Sequence, residues 1–317
     1  MATVGGTPTR PIPIAPAPSG TEFPIRTLGL GKRYGSDWAV RDLDLSIRPG
    51  EVFGFLGPNG AGKSTTIRLL LGLARPTTGQ AWLLGHRADD VERAHAGVAY
   101  VPADVALWPN LTGREVLELV GHLGPKPDPA YRDQLVERFD LDLGKRAKAY
   151  STGNRQKVAL VAAFATRAPV LIFDEPTSGL DPLMERVFRE SIREARERGQ
   201  TVFLSSHQLS EVEAVCDRVG ILRSGELVEV AGLADLRRLR RVEIDVRLAG
   251  PVPDLAVLAG LPGVADVRSL GNGRLVLQMS GELGPVLRLL ADARPASLGV
   301  REPSLEEIFL EYYGSRS

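Results

Sequence analysis

The most constraining feature of the sequence is a glycine-rich octapeptide between an apolar run and a helical pattern. The run is Val52–Leu56, the octapeptide GPNGAGKS occupies residues 57–64, and Ile67, Leu70 and Leu71 then recur with helical spacing. A glycine-rich turn that leads from a buried strand into a helix lets backbone N–H groups surround an anion, because glycine has no Cβ to obstruct them. The order of strand, loop and helix predicts a phosphate-binding P-loop.

This loop predicts how a triphosphate is held. The Lys63 ammonium is expected to reach the β- and γ-phosphates, and the Ser64 hydroxyl is expected to ligate Mg²⁺. The residues assigned to the nucleotide are Gly57, Pro58, Asn59, Gly60, Ala61, Gly62, Lys63, Ser64, Thr65 and Thr66. The competing interpretation is a glycine-rich turn that only joins a strand to a helix.

Length and charge restrict the classes of protein to consider. The chain has 317 residues, about twice the size of a typical domain, which predicts two domains and tails. Lys and Arg number 39, as do Asp and Glu, so the chain lacks the basic excess of proteins that bind nucleic acids. No apolar stretch reaches the roughly 18 residues that a membrane-spanning helix needs. The only cysteine, Cys216, excludes an internal disulfide and is expected to be a small buried residue.

The chain is expected to divide into three parts. Residues 1–24 are rich in proline and glycine and contain no apolar core of a secretory signal, which predicts a disordered lead-in. From residue 25 to residue 236, short apolar runs alternate with helical patterns, as in an α/β domain with a parallel or mixed sheet flanked by helices. Residues 170–173 and 201–204 are continuously apolar, which is typical of central strands covered on both faces.

Residues 237–317 predict a smaller α+β accessory domain. Apolar and charged residues alternate over residues 242–248, helical spacing follows at Leu255, Leu258 and Leu261, and the turn at Gly271–Gly273 predicts a hairpin. A second helical pattern over residues 283–290 and a strand over 297–301 complete a βαββαβ order, as in ferredoxin-like folds. Ser304 and Glu307 predict the capped start of a final helix. The basic run at residues 237–241 is interpreted as a solvated helix face, with a membrane-surface role as the alternative.

Two carboxylates and a histidine close the strands that follow the P-loop. Asp174 and Glu175 end an apolar strand, which brings them to the carboxyl edge where α/β sheets bind ligands. Asp174 is the candidate partner of Mg²⁺, and Glu175 is the candidate general base that deprotonates the attacking water. His207 follows the strand 201–206 and is expected at the same edge, either as a catalytic group or as a structural hydrogen-bonding residue.

The order of these motifs resembles the ATP-binding subunit of ABC transporters, over residues 25 to about 232. The resemblance implies that Tyr34 stacks on adenine, that His207 contacts the γ-phosphate, and that two copies meet at a D-loop containing Ser178 and Asp181. The signature segment of the family is similar to Ser151, Thr152, Gly153 and Asn154 here. A serine hydroxyl and a glycine N–H at a helix N-terminus suit the γ-phosphate held by a second copy, whereas Ser151 by itself indicates only a helix N-cap.

Two segments depart from the family pattern. A glutamine that ligates Mg²⁺ usually follows a Tyr-hydrophobic-Pro step, but here Tyr100-Val101-Pro102 is followed by Ala103 and Asp104. Ala103 has no ligating group, so this contact falls either to Asp104 or to a water molecule. The signature has Thr152 where glycine is common and Asn154 where glutamine is common, while Ser151 and Gly153 are retained.

The resemblance also implies a role in transport. A single P-loop and a short helical insert, around residues 112–146 of a helical subdomain spanning about 105–165, argue against the tandem and long-armed ATPases of the family. Residues 105–121, with Trp108, correspond to the segment that docks the membrane subunit. Packing of Trp108 within the helical insert is the alternative. The closing residues 301–309 are similar to the tail of ATPases from bacterial exporters of the daunorubicin- and tetronasin-resistance type.

The implied assembly has two copies of the chain, or one copy and a related ATPase, that clamp two ATP·Mg²⁺. This assembly binds a separate permease at the cytoplasmic face of the membrane and powers export of a drug-like or lipophilic substrate. One alternative is an ABC-type ATPase that acts on a macromolecular assembly without moving a solute. Another is a nucleotide-binding module that does not hydrolyse, against which Glu175 argues.

Overall fold

The computed structural model describes residues 22–238 and 242–301, and the chain divides into two compact units. The first ends at Gly232 and the second begins at Leu233, four residues before the boundary predicted from the sequence. Most of the predicted lead-in (1–24), part of the basic run and the final helix predicted from Ser304 lie outside the described residues.

The first unit contains two β-sheets. Its strands are β1 (Ile25–Tyr34), β2 (Asp37–Ile47), β3 (Val52–Leu56), β4 (Thr78–Leu83), β5 (His86–Arg87), β6 (Val98–Val101), β7 (Val170–Asp174), β8 (Thr201–Ser206), β9 (Arg218–Arg223) and β10 (Glu226–Gly232). One sheet is antiparallel, in the order β2-β1-β4-β5. The other has the order β10-β9-β3-β8-β7-β6 and is parallel except for the pair β9–β10. This is the mixed α/β architecture expected from the sequence.

Four of the seven described helices of the first unit begin at a side-chain cap. They are α1 (Lys63–Leu70), α2 (Val91–His95), α3 (Gly113–Leu123), α4 (Pro129–Arg138), α5 (Thr152–Ala165), α6 (Pro182–Glu197) and α7 (Leu209–Val215), with a 3₁₀ turn at Ala147–Ala149. Thr112 and Glu115 form a reciprocal capping box at α3. Asp128, Ser151 and Asp181 accept backbone N–H groups at the starts of α4, α5 and α6.

The core of the first unit fixes the strands that carry the candidate site. All residues of β3, β7 and β8 are buried, as expected for parallel strands covered on both faces. Phe173 of β7 packs against Phe164 of α5 and Phe188 of α6, with ring centroids 5.2 and 5.6 Å apart. Aromatic pairs of this kind contribute about 0.5–1.5 kcal/mol beyond their buried area. Both helices are thereby held against the strand that ends at Asp174.

Cys216 lies in this core, directly after α7. Its thiol is buried, as the sequence predicted, and burial raises the pKa of the thiol well above its ordinary value, with smaller contributions from Asp217 and Glu51. A thiol held in its neutral form is a poor nucleophile. Cys216 is therefore a packing residue.

The described residues of the second unit form one sheet, with α9 and α10 packed on one face. Its elements are α8 (Leu233–Arg238), β11 (Val242–Leu248), α9 (Leu255–Ala259), β12 (Val264–Gly271), β13 (Arg274–Met279), α10 (Gly284–Asp292) and β14 (Pro295–Arg301). The strands are antiparallel in the order β12-β13-β11-β14. Because β13 lies between β11 and β12, this is the split βαβ arrangement of ferredoxin-like folds. The predicted first helix is shorter than its pattern: α9 ends at Ala259, and Leu261 packs on the core from the segment that follows.

The two faces of this sheet differ in chemistry. Ile244 and Val246 of β11 point into the core with α9 and α10. On the opposite face Asp245 pairs with Arg274 at 2.6 Å and Glu243 pairs with Arg301 at 2.8 Å. The alternation along β11 therefore separates an apolar core from a charged surface. Among the described residues, no helix is long and apolar enough to span a bilayer.

Candidate functional site

The glycine-rich loop joins the C-terminal end of β3 to α1. β3 lies between β8 and β9 in the parallel sheet, and the N–H of Gly57 donates to the Ser206 carbonyl at 3.3 Å. Helix α1 begins after Gly62, and no side chain caps its first N–H groups. The loop and the helix N-terminus therefore present backbone donors at the centre of the sheet edge, where an anion is favoured.

The glycines of the loop are required for two different reasons. A Cβ on Gly57 would lie 2.5 Å from the Leu222 carbonyl oxygen, and one on Gly62 would lie 2.2 Å from the Ala39 carbonyl oxygen. Gly60 has φ +82° but open space around it, and Pro58 and Asn59 beside it are exposed. Gly57 and Gly62 thus allow close backbone packing, whereas Gly60 leaves an open concave surface.

Lys63 is buried, yet its ammonium is surrounded by oxygen atoms. Its Nζ donates to the carbonyl oxygens of Gly57 at 2.6 Å and Pro58 at 3.2 Å, and it lies 3.1 Å from Oε1 of Glu175. The charge of a buried ammonium is tolerated only with such partners. Lys63 and Glu175, which are 112 positions apart in the chain, therefore form one site.

Glu175 also contacts His207. Its Oε2 lies 2.6 Å from Nδ1 of His207, so the carboxylate is held between an ammonium and an imidazole. Glu175 has φ +49°, a left-handed conformation that costs a residue with a Cβ roughly 1–2 kcal/mol. Such conformations persist where the surroundings fix them, and they are frequent at functional sites.

Asp174 is held by a serine that the sequence patterns did not identify. Ser205, on β8, donates its hydroxyl to Oδ1 of Asp174 at 2.6 Å, and the N–H of Glu175 donates to Oγ of Ser205 at 3.1 Å. Asp174 is 3% exposed, so this bond orients a carboxylate that has little contact with water. A pair of serines that ends the apolar strand before His207 is the signal in the sequence that points to such a role.

Tyr100, on the neighbouring strand β6, faces the same carboxylate. Burial, followed by the negative charge of Asp174, raises the pKa of the Tyr100 phenol to about 12, against a smaller opposite effect of Arg68. The phenol therefore stays protonated at neutral pH and remains a hydrogen-bond donor. Asp104, just beyond this strand, is exposed.

The residues that correspond to the signature lie at the N-terminus of α5. Oγ of Ser151 accepts the N–H of Asn154 at 3.2 Å, and Ser151 and Thr152 are exposed. A Cβ on Gly153 would lie 2.5 Å from the carbonyl oxygen of Gly179, so α5 approaches the segment that follows Glu175 without a side chain between them. Ser178 and Gly179 are also exposed. These two predicted segments thus form one continuous surface.

Tyr34, the predicted adenine-stacking residue, is 53% exposed at the end of β1. The Lys32 ammonium lies 5.1 Å from the centroid of its ring. A largely exposed ring offers a flat surface for stacking. No described contact joins Tyr34 to the cluster around Glu175, so its assignment remains a prediction.

Asp174 and Ser64 are the candidate protein ligands of Mg²⁺. Within residues 22–238 and 242–301 there is no group of three or more His, Cys, Asp or Glu side chains that holds a metal by itself. Mg²⁺ is usually held by one or two protein oxygen ligands, waters and substrate phosphates rather than by an all-protein cage. A buried, oriented Asp174 and the Ser64 hydroxyl at the start of α1 fit that requirement.

Comparisons with known proteins show the family to which the chain belongs. A family model described as ABC transporter matches residues 40–178. A daunorubicin resistance ATP-binding protein of Streptomyces coeruleorubidus is 36% identical over 302 residues, covering 90% of this chain and 94% of that protein. A bacitracin transport ATP-binding protein of Bacillus licheniformis is 32% identical over 300 residues, covering 92% and 97%.

Solved structures show the same fold. The ATP-binding subunit of an ABC transporter superposes with a TM-score of 0.62 at 33% identity, over 68% of this chain and 92% of that one. An ATP-binding cassette in a dimeric post-hydrolysis state with ADP and Pi superposes with a TM-score of 0.58, over 66% and 98%. At 22% identity the second likeness shows the fold alone.

The two kinds of glycine in the loop predict different effects on stability. Gly62→Ala places a methyl group against a backbone carbonyl, whereas Gly60→Ala meets open space. Both substitutions strain a positive φ, so the difference reports the clash, which costs about 1–3 kcal/mol in a packed site. Urea unfolding of the two variants measures it. Equal losses in the free energy of unfolding would contradict the described loop geometry.

Proposed function

The chain belongs to the ATP-binding proteins of the ABC transporter family, and from this premise we propose that it powers export of a drug-like or lipophilic substrate through a separate permease. The chain is an ATPase of a resistance or transport system. The observation that carries the proposal is the cluster of Lys63, Glu175 and His207 beside the glycine-rich loop. This cluster supplies a phosphate-binding cation and a candidate base at one edge of the sheet.

In the proposed mechanism the backbone amides of residues 57–64 and the Lys63 ammonium hold the β- and γ-phosphates. Phosphate oxygens then replace Glu175 and the loop carbonyls as the partners of Nζ of Lys63. Ser64 and Asp174 would hold Mg²⁺, which neutralises charge on the phosphates when bound. Whether Asp104 supplies a further ligand in place of the family glutamine remains a prediction.

Glu175 acts as the general base. Water attacks the γ-phosphorus, the bond from phosphorus to the β,γ-bridging oxygen breaks, and one proton of the water passes to the Glu175 carboxylate, giving ADP and phosphate. His207, 2.6 Å from the second carboxylate oxygen, orients the base and contacts the γ-phosphate. General bases of this kind contribute roughly 10²- to 10⁴-fold in rate.

A second copy of the chain completes the site. Because Oγ of Ser151 accepts the N–H of Asn154, its hydroxyl proton can be donated to a phosphate oxygen. Ser151, Thr152 and Ser178 are exposed, and Gly153 adjoins Gly179. This surface suits contact with the γ-phosphate bound by a partner molecule, with Asp181 as the cap of α6 beside it. A related ATPase serves equally well as the second copy.

The permease docks on the segment of residues 105–121. Trp108 is 48% exposed, whereas Val105, Val116 and Leu117 are buried. The exposed indole is the apolar group that this segment offers to a partner. The relatives named above are resistance and transport proteins, which supports a permease partner and a peripheral position at the cytoplasmic face of the membrane. ATP binding closes the pair of ATPases and hydrolysis reopens it, which biases the permease between its two states.

The second unit is proposed to serve the assembly as an accessory domain that dimerises or regulates. It has its own core around β11 and β13 and a face of paired charges. None of the predicted nucleotide-binding residues lies in it. A self-contained domain of this kind is suited to a contact with a second copy or to regulation of the ATPase.

Glu175→Gln is expected to bind ATP, to lose turnover and to stabilise a dimer with ATP. The amide keeps the shape of the side chain but cannot take the proton from water. ATP titration, steady-state hydrolysis and size-exclusion chromatography with ATP and Mg²⁺ measure these effects. Glu197→Gln, an exposed change at the end of α6, is the matched control. Hydrolysis at the parental rate by Glu175→Gln would remove Glu175 from the mechanism.

Trp108→Ala is expected to weaken binding to the permease without lowering ATPase activity of the isolated chain. The tagged chain is purified from detergent-solubilised membranes, and the amount of co-purified polytopic protein is compared with that for Val228→Ala, a similarly exposed apolar residue on β10. Equal recovery with both variants would contradict the assigned docking segment. ATPase activity stimulated by nucleic acid, with no polytopic partner, would favour action on a macromolecular assembly.

Removal of residues 243–317 is expected to leave ATP binding intact and to impair assembly or coupled transport. The first unit has its own core, so nucleotide affinity depends on residues that the truncation retains. ATP affinity, oligomeric state and transport in vesicles containing the permease are the measurements. Unchanged assembly together with unchanged transport would refute the accessory role.

A further inference from the structure

The backbone conformation of Glu175 is unusual for a residue that has a Cβ, so neighbouring groups have to stabilise it. Glu175 is left-handed at φ +49° and is followed by Pro176 and Thr177. Ser205 fixes this turn only at its start, where its carbonyl and hydroxyl oxygens accept the N–H of Glu175 at 3.2 and 3.1 Å. Within the turn, the N–H of Ser178 donates to the Glu175 carbonyl at 3.2 Å. Two side chains that the mechanism above does not use hold the turn from outside.

The first is Glu211, in the opening turn of α7. Its Oε1 accepts the hydroxyl of Thr177, and its Oε2 accepts the hydroxyl of Ser206 at 2.6 Å. Thr177 follows Glu175 by two residues, and Ser206 directly precedes His207. One carboxylate therefore joins the segments that carry the candidate base and its histidine partner, each through a charge-assisted hydrogen bond.

The second is Gln156, in the second turn of α5. Its side chain is 2% exposed, and its Nε2 donates to the Pro176 carbonyl at 3.0 Å. Pro176 has no N–H to donate, so its carbonyl is its one backbone hydrogen-bonding group, and this contact holds the peptide unit between Pro176 and Thr177. A buried amide at this position is costly unless it is hydrogen-bonded.

We propose that Glu211 and Gln156 are positioning residues for ATP hydrolysis. They hold residues 175–177 so that the Glu175 carboxylate stays beside His207 when phosphate oxygens take its place on Nζ of Lys63. Glu211 does so from the side of α7 and Gln156 from the side of α5, while Ser205 holds the strand end. This inference rests on the proposed role of Glu175 as the base.

Gln156 also links the turn after Glu175 to the helix that is proposed to contact the second ATPase. Gln156 lies on the same helix as Ser151, five residues further along, and that helix also contacts Gly179 through Gly153. A shift of α5 on contact with the partner's phosphate would therefore act on the Pro176 carbonyl. The turn that carries the base of one site is thus tied to the helix that completes the other.

The first experiment compares Thr177→Val, Glu211→Gln and Gln156→Met with the parent protein. Each removes one hydrogen bond with little change in shape, and misplacement of a catalytic group by a fraction of an ångström to an ångström is expected to lower kcat by about 10- to 100-fold, with the Kd for ATP changed less than about twofold. Thr177→Ser retains the hydroxyl and is expected to retain activity. Glu185→Gln, on α6 in a cleft that Thr177 and Glu211 also line, is the matched control.

Melting temperatures accompany each variant. If Glu211→Gln does not fold, Thr177→Val and Ser206→Ala test the same hydrogen bonds, because each removes a hydroxyl that donates to Glu211. Parental kcat in folded Thr177→Val, or equal losses in Thr177→Val and Thr177→Ser, would overturn the proposal. A loss of ATP affinity that matches the loss of kcat would also overturn it, because it would indicate a general structural role.

The second experiment combines Thr177→Val with Glu175→Gln and measures single-turnover hydrolysis with radiolabelled ATP. If Thr177 and Glu211 act by placing the Glu175 carboxylate, Thr177→Val does not lower the hydrolysis rate further in a protein that already carries Glu175→Gln. Independent losses that multiply would overturn the inference. Normal hydrolysis by Glu175→Gln alone would instead overturn the proposed function, so the two failures are distinguishable.

Discussion

The candidate site is organised around one carboxylate, that of Glu175, which lies between the ammonium of Lys63 and the imidazole of His207. Glu175 contacts Lys63 at 3.1 Å and His207 at 2.6 Å, and these residues follow three different strands. A carboxylate held in this way has a fixed direction, as a base must have before it meets a water molecule. The glycine-rich loop and the oriented Asp174 have chemical meaning only in relation to this group.

The order of strands in the parallel sheet brings these groups together. β3, β8 and β7 are adjacent and parallel, so the loop after β3, His207 after β8 and Glu175 after β7 meet at one edge. Burial of all three strands makes that edge rigid. Helices α5 and α6 pack on Phe173 of β7, which also brings the surface formed by Ser151 and Gly179 close to the turn that carries Glu175.

Local patterns in the sequence predicted the loop, the Asp174–Glu175 pair and His207, because each follows an apolar strand directly. The βαββαβ order of the second unit was likewise predicted from the alternation of apolar and charged residues and from the turn residues. Ser205, Gln156 and Glu211 were not predicted, since their partners are 20 to 34 positions away and only the packing of β8, α5 and α7 brings them together. Helix α9 ends at Ala259 because Pro262 disfavours helical backbone at Leu261, although Leu261 still packs on the core.

The most direct test is a crystal structure of the chain with a non-hydrolysable ATP analogue and Mg²⁺. The account predicts the β- and γ-phosphates within the loop of residues 57–64, with Nζ of Lys63 on their oxygens. It also predicts a water about 2.6–3.2 Å from the Glu175 carboxylate, in line with the γ-phosphorus. A triphosphate bound elsewhere, or a Glu175 side chain turned away from that water, would contradict it.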